Sequence, residues 1–175
     1  MTSVKHRPRH TLTARLRTLA VLEAANAVWI AWVVFDALDA PGTAANLTGY
    51  ALVAALLLTG SAYWTVKLRQ LRLRTPSPPL IGLFRRLRPV CAAALAAGAV
   101  VLGAAFARRP EASEVAPGLL LYGLALAEYV NYFHRQLMHD TRADWRRLLA
   151  TRRPRRSHLH EDLRAHRDST RDPSP

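Results

Sequence analysis

Cysteine is almost absent from the sequence, with Cys91 alone among 175 residues. One thiol excludes a disulfide within the chain and a metal site built from several cysteines. The sequence also contains no glycine-rich phosphate loop, dinucleotide-binding fingerprint, zinc-protease helix or kinase signature. We therefore predict no metal site and no cofactor, and whether the protein is an enzyme stays open at this stage.

Acidic residues are also few, since 12 Asp and Glu face 25 Lys and Arg, for a net charge of +13. In a soluble protein, this excess is typical of nucleic-acid binding. Here, however, long apolar stretches alternate with short basic ones, which is the pattern of a membrane protein. The sequence therefore predicts no nucleic-acid partner. It predicts membrane lipids instead, with anionic headgroups at the basic segments.

Four apolar stretches are long enough to cross a bilayer, because about 20 helical residues span its hydrocarbon core. We place them at about residues 18–38, 47–66, 89–107 and 118–138. This predicts an all-α membrane protein, a four-transmembrane-helix bundle formed by residues 17–139. The TPSPP sequence breaks the chain between the second and third spans. The IGLFRRLR sequence that follows predicts a short interfacial helix in this loop.

Basic residues are distributed unevenly between the two sides of the predicted bundle. Of the 25 Lys and Arg, only Arg108 and Arg109 lie in the loops after the first and third spans. Because cytoplasmic segments carry the excess of Lys and Arg, both termini are predicted in the cytoplasm. Residues 1–16 and 140–175 are then cytoplasmic basic tails, the second beginning as a helix and becoming disordered after Pro154. The Ala-, Arg- and Pro-rich composition favours a bacterial inner membrane.

Two carboxyl groups lie inside the predicted spans, where ionisable residues are costly and by default mark a site. Glu23 is followed three residues later by Asn26 in the first span. Glu128 is followed at the same spacing by Asn131 in the fourth. The two spans run in opposite directions, which brings each glutamate to the depth of the other span's asparagine, about 9 to 13 Å from the cytoplasmic side. If these helices pack side by side, each glutamate contacts the asparagine of the other helix.

A polar stripe continues along the fourth span toward the cytoplasm. On a helical wheel, its members fall within about 60° of one another: Glu128, Tyr132, Arg135 and His139. Such a stripe predicts a wet cleft that opens to the cytoplasm. The candidate catalytic residues are Glu23, Glu128 and His139, and the candidate binding residues are Asn26, Asn131, Tyr132 and Arg135.

The same polar residues also fit a purely structural role. Two Glu–Asn pairs would lock the first and fourth helices in register, each hydrogen bond contributing about 1 kcal/mol in a membrane. In the third span, small residues recur at a spacing of four, at Ala99, Gly103 and Ala107. This spacing predicts the close approach of another helix. Both features favour a bundle built for association.

Three functions follow from these alternatives. The first, which the sequence favours, is a small helical membrane subunit or scaffold that forms a homo-oligomer or binds a membrane protein partner. The second is a membrane enzyme for a lipid-like substrate at the cytoplasmic face, with Glu128 as acid or base and Arg135 holding an anionic head. Tyr132 and His139 would complete that site. The third is a proton-coupled carrier formed by a dimer, with Glu23 and Glu128 as proton sites.

Overall fold

The computed structural model describes residues 9–75, residues 80–134 and Leu159. Over these residues the protein is all-helical and contains no strand, which confirms the predicted all-α class. Four α-helices follow one another along the chain, and the first continues into a π-helical segment. They are α1 (Arg9–Ala31, with the π-helix Trp32–Ala37), α2 (Ala44–Leu73), α3 (Ile81–Ala107) and α4 (Ala112–Phe133).

Among the described residues, three helical stretches are long and apolar enough to cross a membrane: Leu12–Ala37, Ala44–Leu73 and Ile81–Ala107. They correspond to the first three predicted spans and fit a multi-pass membrane protein. α4 is not among the helices that qualify by length and composition alone. Its 22 residues include three tyrosines as well as Glu114, Glu128 and Asn131.

α2 is the central helix of the bundle. It packs against α1, α3 and α4, and its most extensive contact is with α4. α2 and α4 run parallel to each other. Asn46 meets Gly118 in the first half of both helices, and Gly60, midway along α2, meets Tyr132 near the end of α4.

α1 and α3 run antiparallel to α2 and α4. The carbonyl of Ala27 in α1 accepts a hydrogen bond from the hydroxyl of Tyr50 in α2 at 3.3 Å. About three turns further along α2, Ser61 donates to the carbonyl of Ala20 at 2.7 Å. Because α2 lies between them, α1 and α4 do not pack along their lengths within the described residues. The condition for the predicted Glu–Asn pairs, that the first and fourth helices pack side by side, is therefore not met.

Polar caps tie the starts of α2 and α4 together. Thr43 precedes α2, and its hydroxyl oxygen accepts a hydrogen bond from the amide of Asn46 at 3.3 Å. The same hydroxyl donates to the carbonyl of Glu114 at 2.6 Å. At the start of α4, Glu111 and Glu114 form a capping box in which each side chain accepts from the other residue's backbone amide. The two helix starts are thereby fixed in register.

α3 is one continuous helix from Ile81 to Ala107, and Pro89 lies inside it. The prediction of a separate interfacial helix is therefore wrong, because the IGLFRRLR sequence forms the first two turns of α3. Pro89 removes only one backbone hydrogen bond. The turns before it are anchored by Ile81 and Phe84, which are buried in the core. The ring of Phe84 also meets that of Tyr63 edge-on at 5.7 Å.

The predicted tails lie mostly outside the described residues, which exclude 1–8, 76–79, 135–158 and 160–175. At the N-terminal end, α1 begins at Arg9, so the second half of the predicted tail is helical. At the C-terminal end, Leu159 is 2% exposed and belongs to the hydrophobic core. Disorder after Pro154 is therefore wrong at this one residue.

Candidate functional site

Glu23 of α1 and Glu128 of α4 come together although α2 separates their helices. Their carboxyl groups are close enough for direct electrostatic interaction, and both side chains are partly buried. The hydroxyl of Tyr132 lies next to both carboxyl groups. Trp64 of α2 lies within reach of Glu23. We call these four residues the carboxyl cluster.

A glycine of α2 allows the carboxyl cluster to form. Tyr132 is 5% exposed, and its ring occupies the space that a side chain at Gly60 would need. The tyrosine of α4 therefore crosses the surface of α2 at Gly60 and brings its hydroxyl to Glu23 on the far helix. α2 separates α1 from α4 along their lengths, and Gly60 is the point at which that separation is bridged.

The two asparagines of the predicted Glu–Asn pairs have different positions. The Nδ2 atom of Asn131 donates to Glu128 Oε2 of its own helix at 3.4 Å, so Asn131 adjoins the carboxyl cluster. Asn26 is exposed on the surface of the bundle, and its pairing with Glu128 is therefore wrong. The physical reason is angular, because a residue three positions after Glu23 is rotated by about 60° around the helix. That rotation carries Asn26 off the face that packs on α2.

A second polar contact joins α3 to the end of α4. The Nη2 atom of Arg88 lies 3.1 Å from Nε2 of His134. Tyr129 supports this pair, because its ring packs at 5.3 Å from the imidazole and its hydroxyl reaches the Arg88 carbonyl at 3.5 Å. Of the predicted polar stripe, Glu128 and Tyr132 belong to the carboxyl cluster, and Arg135 and His139 lie outside the described residues.

Asn46 is the polar residue that the sequence reasoning missed. Its side chain is fully buried at 0% exposure. Its Nδ2 atom donates to the carbonyls of Pro41 at 2.9 Å and Ser113 at 3.1 Å, and its Oδ1 accepts from the amide of Gly118 at 2.8 Å. The sequence contained a signal for this contact. Thr43 and Asn46 begin the second span with a Thr–x–x–Asn pattern, and Gly118 lies at a matching depth in the fourth span. We call this arrangement the Asn46 network.

Close helix contact occurs at glycines other than those expected. A Cβ atom at Gly49 would lie 2.9 Å from the Cα of Gly118, so the backbones of α2 and α4 touch there. In contrast, Gly103 has nothing within 4 Å of its Cβ position, and Ala99 and Ala107 are exposed. The small-residue spacing of the third span therefore makes no close contact within the described residues of this chain, and its close approach to a helix of another subunit stays a prediction.

The carboxyl cluster is chemically suited to holding a proton. Two carboxyl groups, a phenol and an indole N–H give it both donors and acceptors, and one proton between the carboxyl groups removes the repulsion of two charges. Among residues 9–75 and 80–134, no three His, Cys, Asp or Glu side chains come together as metal ligands. No family model, curated protein or solved structure matches the chain.

Proposed function

We propose that the protein is a small integral membrane subunit or scaffold with four spans and both termini in the cytoplasm. α4 serves as the fourth span because it lies parallel to α2 and is packed along it. Its exposed leucines, including Leu119, Leu120, Leu124 and Leu126, suit a lipid environment. The basic residues then lie on the cytoplasmic side, with the exception of Arg108 and Arg109.

The observation that carries this proposal is that polar side chains in the bundle bind one another or backbone carbonyls across helices. Ser61 and Tyr50 bind carbonyls of α1, Tyr122 binds the Leu95 carbonyl at 3.0 Å, and Asn46 joins α2 to α4. Large apolar residues face outward on α1, α3 and α4. In lipid, this distribution satisfies buried polar groups and leaves the exterior apolar.

The four-span topology predicts which loops a membrane-impermeant maleimide reaches. In a Cys91→Ala background, Gly42→Cys and Arg109→Cys should be labelled in intact cells. Thr75→Cys should be labelled only after the membrane is permeabilised. A tag added after Pro175 should not be accessible from outside intact cells, and this result checks the fourth span. An exposed tag would leave three spans and reject this topology.

In this proposal, the carboxyl cluster is an interhelical tie that holds α1 and α4 to α2. A bare carboxylate is costly in a membrane, whereas a carboxyl group with a proton and hydrogen-bond partners is tolerated. Asn131 donates such a hydrogen bond to Glu128, and Tyr132 and Trp64 lie within reach of Glu23.

Glu128→Gln separates the structural role from an active site. The amide keeps an acceptor for Asn131, so we expect folding and thermal stability in detergent to stay within about 1 kcal/mol of the parent. We also expect function in the native host to be retained. Glu128→Leu, which removes the acceptor, should be the less stable variant.

A lipid-directed enzyme is the second candidate, and the Arg88–His134 contact favours it. The pair lies beyond Tyr132 at the end of α4, where an anionic head could meet a guanidinium group. If Glu128→Gln folds normally but abolishes function in the host, this candidate replaces the scaffold. The proton-coupled carrier stays a prediction from the sequence.

A further inference from the structure

Asn26 is a polar residue exposed near the middle of an apolar helical stretch. That stretch, Leu12–Ala37, is one of the three that can cross a membrane. The Asn26 side chain lies on the outer surface of the bundle and makes no hydrogen bond within the described residues. Its neighbours Leu22 and Trp29 are also exposed, at 52% and 60%.

An exposed amide at this depth requires a partner. A carboxamide has two N–H donors and a carbonyl acceptor. Hydrocarbon offers neither donors nor acceptors, so the group is costly unless another protein surface meets it. The carboxyl cluster does not supply this partner, because Asn26 faces away from it.

Asn26 lies within a seam of α1 that has the spacing of a helix-pairing interface. Leu19, Leu22, Asn26 and Trp29 follow one another at intervals of three, four and three residues. This interval places them along one side of the helix, as in the seam of a coiled coil with a single central asparagine. The seam adjoins the face that α1 packs on α2, so a second helix can approach it.

We propose that this seam binds the same seam of a second copy of the chain, with the two Asn26 side chains hydrogen bonded across a two-fold axis. An amide is complementary to itself, since each copy can donate to the carbonyl oxygen of the other. The occupant is another copy because two copies inserted in the same orientation bring Asn26 to the same depth automatically. A different partner would need a polar group at that depth.

This inference rests on the proposed function in one respect, because it requires α1 to span the bilayer in a fixed orientation.

The test uses the full chain in phosphatidylcholine vesicles, after maleimide labelling has verified the topology. Donor and acceptor dyes on Gly42→Cys, in the Cys91→Ala background, report association by energy transfer as the protein is diluted with lipid. If maleimide labelling contradicts the four-span topology, the proposed function is wrong. The dimer is then tested only in vesicles in which labelling shows that α1 is inserted.

We expect Asn26→Leu to raise the dissociation constant of the dimer about tenfold. A change of this size corresponds to the loss of one interhelical polar contact in a membrane. Asn26→Gln keeps the carboxamide and should associate as the parent does. Val28→Leu, on the other side of α1, should leave it unchanged. Because Asn26 is exposed, circular dichroism should show the same helix content in all of these variants.

Disulfide formation gives a second measurement of the same interface. With Cys91 replaced by alanine, Leu22→Cys should form a cross-linked dimer under mild oxidation, and Val28→Cys should not. A parent chain that stays monomeric at high protein-to-lipid ratio would overturn the proposal. Equal association of the parent and Asn26→Leu would overturn it as well.

Discussion

Gly118→Leu should separate α2 from α4 and lower the free energy of unfolding by about 3 kcal/mol or more. A Cβ atom at Gly118 would lie 2.5 Å from the carbonyl oxygen of Ala45 and 2.9 Å from the amide nitrogen of Asn46. These are backbone atoms, so rotation of a side chain cannot relieve the overlap. The helices must move apart, and the hydrogen bond from the Gly118 amide to Asn46 is lost with them.

Gly123→Leu is the matched control for this substitution. Gly123 lies on the same helix, and nothing is found within 4 Å of its Cβ position. The control should be neutral or slightly stabilising, because leucine is the better helix former. Thermal denaturation in detergent micelles, followed by circular dichroism, measures both variants. Equal melting temperatures for the two would contradict the close backbone contact of α2 with α4.

Asn46→Leu should be the second most damaging substitution, with a loss of about 2 to 4 kcal/mol. Leucine is close to asparagine in size but removes the hydrogen bonds of Asn46 to the Ser113 carbonyl and the Gly118 amide. The Pro41 carbonyl also loses Asn46 but keeps the amide of Thr43 at 2.8 Å. Unsatisfied polar groups cost more in a membrane than in water, because water cannot replace the lost partner. Equilibrium unfolding in mixed micelles measures the difference.

Thr59→Val provides the control for Asn46→Leu. It also exchanges a polar for an apolar side chain on α2, but Thr59 is only half-buried and its hydroxyl donates to the Ala55 carbonyl of its own helix. We expect a change below about 0.5 kcal/mol. If Thr59→Val were as damaging as Asn46→Leu, the loss would reflect polarity in general and not the Asn46 network.

The helices were predictable from the sequence because long apolar stretches alternate clearly with short charged segments along the chain. Their ends were less predictable. α2 continues to Leu73, although Lys67 suggested an end near residue 66. A basic residue indicates where a helix leaves the hydrocarbon. The helix can continue beyond that point, because its backbone hydrogen bonds form outside the hydrocarbon as well. The same reasoning applies to α1, which begins at Arg9.

The carboxyl cluster was predictable in part. Counting residues from the membrane boundary gives depth, and depth paired each glutamate with the asparagine of the other helix, whereas the structure brings Glu23 and Glu128 near one another. Depth does not give the neighbour of each helix or the direction of each side chain. For this reason, the position of α2 between α1 and α4, the passage of Tyr132 over Gly60 and the exposure of Asn26 emerged only from the structure.

The Asn46 network has a consequence for the order of biosynthesis. The Pro41 carbonyl is available to Asn46 as soon as α2 is made, but Ser113 and Gly118 are synthesised about 70 residues later. Until α4 packs on α2, an emerging chain therefore holds a polar side chain with only part of its hydrogen bonding complete. Docking of α4 supplies the remaining partners, so the last helix to be made completes the hydrogen bonding of the second.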